Sequence, residues 1–264
     1  MCKPMGQPIT PLTPQEQAFL YPYDAPSGAY LMCEGQVQPL DDYRCLEGRV
    51  AVLSVGSNRA PRQLLRKFGP QAMVPVTPAI LHDCDICHVA NIAPYGAVPC
   101  AAFVSPGTSV QLNIAWLDTA QLEIMHATES LGTAYDFVRW RPGQISHQRD
   151  DAITGKGMAL AQPVYGYSSR LGPLPNAQNQ PMALAKIPAE SRRFHTATQE
   201  QAMQVLQALS AMDEDMALTG WIARLQGSEQ RQEQIRHIAA SHALSDPALT
   251  GAGAYFDIMD DLLV

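Results

Sequence analysis

An α+β fold is predicted by three features of the sequence. A short apolar run, "GRVAVLSV" (48–55), passes through a glycine turn into a helix; residues 100–116 read as two strands about a turn; and from about residue 191 the apolar spacing becomes helical. The 264 residues suffice for a substantial core, arranged as one large domain or one domain with appended parts.

Residues 1–47 are rich in proline and aromatic side chains, as in "FLYPYDAPSGAYLM", without a sustained period. They read as an extension wrapped on a core. The run 48–55 is mostly apolar, which suits a strand covered on both faces, and Gly56-Ser57-Asn58 ends it. Pro61 fits the first turn of the next helix, Leu64, Leu65 and Phe68 supply its apolar face, and Gly69-Pro70 stops it. The unit is strand, glycine turn, helix, a junction whose free backbone N–H groups suit a carboxylate or a developing oxyanion. Ordinary strand-to-helix turns also use Gly, Ser and Asn, so the motif alone is not decisive.

The segment "AILHDCDICHVAN" (79–91) contains Cys84-Asp-Ile-Cys87-His88, the spelling of a covalent haem attachment site. On a helix Ile80, Cys84 and Cys87 would share a face; on a strand 84 and 87 point to opposite sides. Pro78 and the strand-like material that follows favour the extended form, with both thiols packed in a sheet. His82, Cys84, Cys87 and His88 crowd four potential ligands into seven residues, whereas structural zinc sites usually draw ligand pairs from two separated elements. Neither haem nor metal is expected.

Ser105-Pro-Gly-Thr108 reads as a hairpin turn between an apolar run (100–104) and a segment where Val110, Leu112, Ile114 and Trp116 alternate with Gln111, Asn113 and Ala115. Asp118-Thr-Ala-Gln121 has the form of a helix start and predicts a helix to about Ser130. Leu122, Met125 and Glu129 share one stripe of that helix, while Glu123 projects about 100° away. A carboxylate thus stands on the apolar face, where desolvation favours its neutral form and suits proton exchange. The plain alternative is a glutamate at a fraying helix end, paired with Arg139 or Arg141.

Two further strands are expected in "MALAQPVYGY" and "QPMALAKI", separated by the loop "SSRLGPLPNAQN". Three helices then follow. Thr198 opens the first, with Met203, Leu206 and Leu209; Trp221, Ile222 and Leu225 mark the second; Ile235, Ile238, Ala239 and His242 mark the third. These stripes read as core.

A net charge of −7 and the lack of a dense Lys/Arg run disfavour nucleic acid as a partner. No apolar run approaches a membrane span, and "MCKPMGQPITPLTPQ" lacks the apolar stretch of a secretory signal, so a cytoplasmic protein is expected. Six cysteines spread over the first 100 residues read as reduced thiols.

The ordered set Val55-Gly56-Ser57-Asn58, then "AAFVSPGTSVQLNIAWLDTAQLEIMHATES", then Tyr135, resembles the gamma-glutamylcyclotransferase-like family. There a Y-G-S-N turn follows the first strand, a hairpin comes later, and a helix ends in a glutamate upstream of a tyrosine. The resemblance covers roughly 48–190 and implies a small mixed β-barrel with flanking helices, with 1–47 as an amino-terminal extension and 191–264 as a helical carboxy-terminal region. It implies that Val55, Gly56, Ser57, Asn58 and Tyr135 bind a small γ-glutamyl substrate and that Glu129 is the general acid/base, with no cofactor. Such an enzyme closes the γ-glutamyl group to 5-oxoproline and releases an amine or amino acid. Val55 stands where the motif has tyrosine, and Ser130 where a glycine is usual; a binding protein on the same barrel that has lost turnover is the alternative. A third reading makes Ser57 a nucleophile with His126 or His88 as base, although the second glycine of a nucleophile elbow is missing. Arg170 is a candidate partner for a substrate carboxylate. The leaving group and the oligomeric state are not fixed by the sequence.

Overall fold

Residues 7–147 and 163–261 are described in the structure, a computed structural model. In chain order the strands are β1 (Gln7–Pro8), β2 (Tyr30–Cys33), β3 (Gln36–Pro39), β4 (Val50–Ser54), β5 (Val74–His88), β6 (Cys100–Leu117), β7 (Tyr135–Trp140), β8 (Ile145–His147), β9 (Val164–Ser169), β10 (Met182–Leu184), β11 (Ala189–Glu190), β12 (His195–Ala197) and β13 (Phe256–Ile258). The helices are α1 (Pro14–Phe19), α2 (Pro61–Phe68), α3 (Thr119–Thr128), α4 (Gln199–Ser210), α5 (Leu218–Gln226) and α6 (Glu229–Ser241).

All the strands belong to one mixed sheet, whose main path runs β1-β3-β2-β5-β6-β4-β9-β7-β13. The path is open at β1 and β13. Closure into the expected barrel is not seen among the described residues. The long antiparallel pair β5–β6 is its spine, with β2 on one side and β4 on the other, and β9 lies parallel to β4.

Residues 105–108 do not form the expected hairpin turn. They lie inside the continuous strand β6, opposite Asp83, where the register moves from His82↔Ser109 to Cys84↔Val104. Asp83 Oδ1 accepts the N–H of Gly107 at 2.8 Å, and both residues have positive φ, so the Ser-Pro-Gly-Thr chemistry is spent on a wide bulge. The reversal between the two strands occurs instead over residues 89–99.

Alternation on β4 and β6 separates two cores. Ala51, Leu53, Ile114 and Trp116 face one; Val52, Ala115 and Leu117 face the other, where Leu64 of α2 and Leu122 and Met125 of α3 cover them. The three predicted carboxy-terminal helices are present, and Met203, Leu206, Trp221, Ile222, Leu225, Ile235 and Ala239 form a third cluster. Ile238 is only partly buried and His242 is exposed at the C-cap of α6. Of "MALAQPVYGY", residues 158–162 lie outside the described residues, and β9 carries the remainder.

Cys84 and Cys87 are free, buried and in different cores, as a strand requires. Burial pushes the Cys84 thiol up to about 12 and the Cys87 thiol well above its ordinary value, so both stay protonated. His82 reaches Ser146 Oγ at 2.7 Å and His88 Nε2 meets the Ala197 carbonyl at 3.1 Å, so the four side chains serve separate neighbours. Cys33 departs from the expectation of reduced thiols: it is disulfide-bonded. No helix among the described residues is long and apolar enough to cross a membrane.

Candidate functional site

The candidate site lies where β4, α2 and α3 meet. β4 ends at Ser54, and after Val55 and Gly56 the chain makes a single 3-10 turn, Ser57–Arg59, before Pro61 opens α2. Gly56 is required by crowding. A Cβ there would lie 2.6 Å from Tyr21 Oη and 3.0 Å from Cys100 Sγ. The Cys100 N–H donates to the Tyr21 hydroxyl at 3.2 Å, and the thiol stands 3.3 Å from that hydroxyl and 3.7 Å from the Val55 carbonyl.

α3 starts on the predicted capping box of Asp118 and Gln121, and its last turn delivers Glu129 as the C-cap. The side chain of Asn58 crosses from the turn and donates from Nδ2 to Glu129 Oε1 at 3.0 Å. Lys67, in the last turn of α2, is ion-paired with the same oxygen and donates to Thr128 Oγ1 at 2.7 Å. The carboxylate side chain is 15% exposed and the ammonium side chain 5%. The counter-ion of Glu129 is therefore Lys67. Arg139 and Arg141 pair with Asp257 instead, at 3.6 and 2.8 Å, because β13 runs beside β7.

Two polar atoms near this junction are buried without a hydrogen-bond partner among the described residues, Asn58 Oδ1 and Ser54 Oγ. Each can accept a hydrogen bond from an incoming donor. Tyr135 opens β7 and is partly buried; burial chiefly, then Glu129, Cys100 and Tyr95, hold its phenol well above the usual range, so it stays protonated. Tyr21 is held up in the same way, by burial first and then by Cys100, Tyr95 and Tyr135.

Glu129 leads into Ser130, which adopts φ of +51°, and then Gly132 at +75°. A left-handed residue just past a helix is the ordinary way to end it, and this explains why glycine is usual there. Arg170 braces this loop: it donates to Asp136 Oδ1 at 2.8 Å and to the Gly132 carbonyl, so its guanidinium is committed to the protein. His126 Nδ1 stands 2.9 Å from the Tyr167 hydroxyl, with its ring edge-to-face on Phe137. Ser57 is buried, and both histidines considered as its base have other partners.

Of the sequence-predicted residues, Asn58 and Glu129 are in direct contact, Gly56 and Ser57 form the adjoining turn, Val55 precedes it, and Tyr135 follows Glu129 across the braced loop. Three contributors are new. Lys67 follows Leu64 by three residues, which puts it beside the buried stripe of α2, a signal the spacing does carry. Tyr21 and Cys100 reach the turn from distant parts of the chain without any local signature. A cavity of about 770 Å³ lies elsewhere, between Pro175–Pro181 and Ser241–Leu249.

No protein-family model matches the sequence, and no curated protein matches it. Among solved structures, the chain is similar to an uncharacterized protein from Homo sapiens at 12% identity and a TM-score of 0.37, over 72% of this chain and 99% of that one. It is likewise similar to a gamma-glutamyl cyclotransferase at 11% identity and a TM-score of 0.36, again over 72% of this chain and 99% of the other. These likenesses are distant, and the reading of the site rests on its own residues.

Proposed function

We propose that the chain is a gamma-glutamylcyclotransferase-like enzyme that converts a γ-glutamyl amide or peptide to 5-oxoproline and a free amine or amino acid. The observation that carries this reading is the contact between Asn58 of the turn and Glu129, a sheltered carboxylate held against an amide-rich bend. Glu129 takes a proton from the substrate's α-ammonium, and the freed amine attacks the γ-carbonyl carbon. As that C–N bond forms, the carbonyl π electrons move to oxygen, and the N–H groups of residues 56–58 are the donors for this oxyanion. Collapse breaks the bond to the leaving nitrogen as Glu129 hands it that proton; the second proton of the attacking nitrogen then passes through the Glu129 carboxylate to the departing amine, which leaves a neutral lactam, an ammonium product and an ionised Glu129. Asn58 Oδ1 suits the ammonium as an acceptor before the transfer, since it is buried and unpartnered. Tyr135, a protonated phenol, is a substrate contact in this scheme. No cofactor is called for, because nucleophile and electrophile share one molecule and the fold has only to hold the reactive conformer.

Release of 5-oxoproline from a panel of γ-glutamyl amides and peptides tests the reading. Turnover by the parent protein with loss by about 10² to 10⁴ in Glu129→Gln supports it, the range ordinarily supplied by a positioned acid/base. Equal turnover in both proteins overturns it. One observation favours a binding protein without turnover: Glu129 Oε1 is already engaged by Lys67 and Asn58. Saturable binding of the same compounds with no 5-oxoproline formed would establish that alternative.

A further inference from the structure

Arg59 ends the 3-10 turn that begins with Ser57, and it serves a different part of the molecule from Asn58. Its backbone carbonyl accepts the Tyr30 hydroxyl at 2.7 Å, and its Nε donates to Asn113 Oδ1 at 2.9 Å. Asn113 is itself 2% exposed and sits opposite Ser54 and Pro78 in the register of β6 with β4 and β5. Arg59 is partly buried, burial depresses its pKa, and no carboxylate among the described residues lies within ion-pair distance of it. A guanidinium taken from water without a counter-ion is costly, and no acceptor among the described residues engages its terminal N–H groups.

Arg59 borders a cavity of about 260 Å³, lined also by Pro78, Gln111, Asn113, Tyr23 and Lys186. The acid bordering it is Asp24, highly exposed and paired with Lys186 at 3.0 Å, so Arg59 leaves the cavity one positive charge in excess. The volume is near the lower limit of ordinary ligand sites, roughly 300 Å³, which admits a metabolite of five or six heavy atoms in its chain and excludes a nucleotide.

We propose that this cavity binds the carboxylate of a small organic acid, with the Arg59 guanidinium as its ion-pair partner, Asn113 holding the guanidinium in place and Lys186 contributing from the rim. A planar carboxylate matches the fork of an arginine better than a tetrahedral anion of similar charge does. The site is distinct from the Asn58–Glu129 contact and does not depend on the activity proposed for it.

Isothermal titration calorimetry of the full chain with glutarate, glutaramide and inorganic phosphate tests this. Glutarate is expected to bind at one site, and glutaramide, its neutral analogue, about tenfold more weakly or worse, as is normal when a charged hydrogen bond is lost. Arg59→Gln should show the same loss for glutarate, Lys186→Gln a smaller one, and Glu129→Gln none. Equal binding of glutarate and glutaramide, tighter binding of phosphate than glutarate, or loss of glutarate binding in Glu129→Gln would each overturn the proposal. If Arg59→Gln fails to fold, the comparison of the three ligands on the parent protein still decides.

Discussion

The Lys67 ammonium is ion-paired with Glu129 and hydrogen-bonded to Thr128 Oγ1 at 2.7 Å, which ties the last turn of α2 to the end of α3. Removing one member of a buried ion pair commonly costs about 3–5 kcal/mol because the other charge is left behind. Glu129 keeps some contact with water, so Lys67→Met is expected to destabilise by about 2 kcal/mol, below that range. Urea denaturation measures this, and Lys67→Met combined with Glu129→Gln should recover part of the loss.

Gly56 and Tyr21 form a second coupled pair. A methyl group at residue 56 would press on the Tyr21 hydroxyl and the Cys100 thiol, both buried, and overpacking of this kind costs about 1–3 kcal/mol. Gly56→Ala should therefore be destabilising, and adding Tyr21→Phe should relieve much of it by removing the oxygen at 2.6 Å. Thermal denaturation of the two single variants and the double variant gives the coupling; strict additivity would contradict the crowding described at the turn.

Ser130→Gly is expected to stabilise the protein by about 1 kcal/mol, because a left-handed conformation strains any residue with a Cβ and Ser130 is exposed at φ of +51°. A rise in the midpoint of urea unfolding with an unchanged slope is the expected signature.

His88 gives the protein an acid-side dependence. It is fully buried, and that burial lowers its pKa to about 4 from an ordinary value of 6.5. The unfolded chain therefore binds the proton more readily, and stability is fully present above about pH 6.5, then falls as pH drops toward 4. The whole span is worth about 3 kcal/mol, at 1.36 kcal/mol per pKa unit. Equilibrium unfolding at a series of pH values in His88→Gln should show a shallower decline than in the parent protein across that window.

Much of the fold could be read from local pattern. The strand at 50–54, the Pro61 helix start, the Asp118 and Thr198 capping boxes and the Trp221 stripe depend on neighbouring residues, and each is present. Ser105–Thr108 misled because a Pro-Gly pair reads the same in a turn as in a bulge; the difference is made by Asp83, which no short window includes. The pairing of Asn58 with Glu129 was accessible only through the order of motifs, and the Lys67 counter-ion and the Tyr21 phenol arise from tertiary contacts. Residues 30–39 gave no usable period, yet they become β2 and β3, since the bare edge of β5 supplies their hydrogen-bonding partners.

β13 has a consequence for how the molecule reaches its native state. Phe256 packs edge-to-face on Trp140, and its strand covers the outer side of β7, so more than a hundred residues must be made before that edge is sealed. During synthesis the exposed rim of β7 is a template for stray strands from other chains, and the nascent protein is most vulnerable to aggregation in the interval between translation of Trp140 and arrival of Phe256.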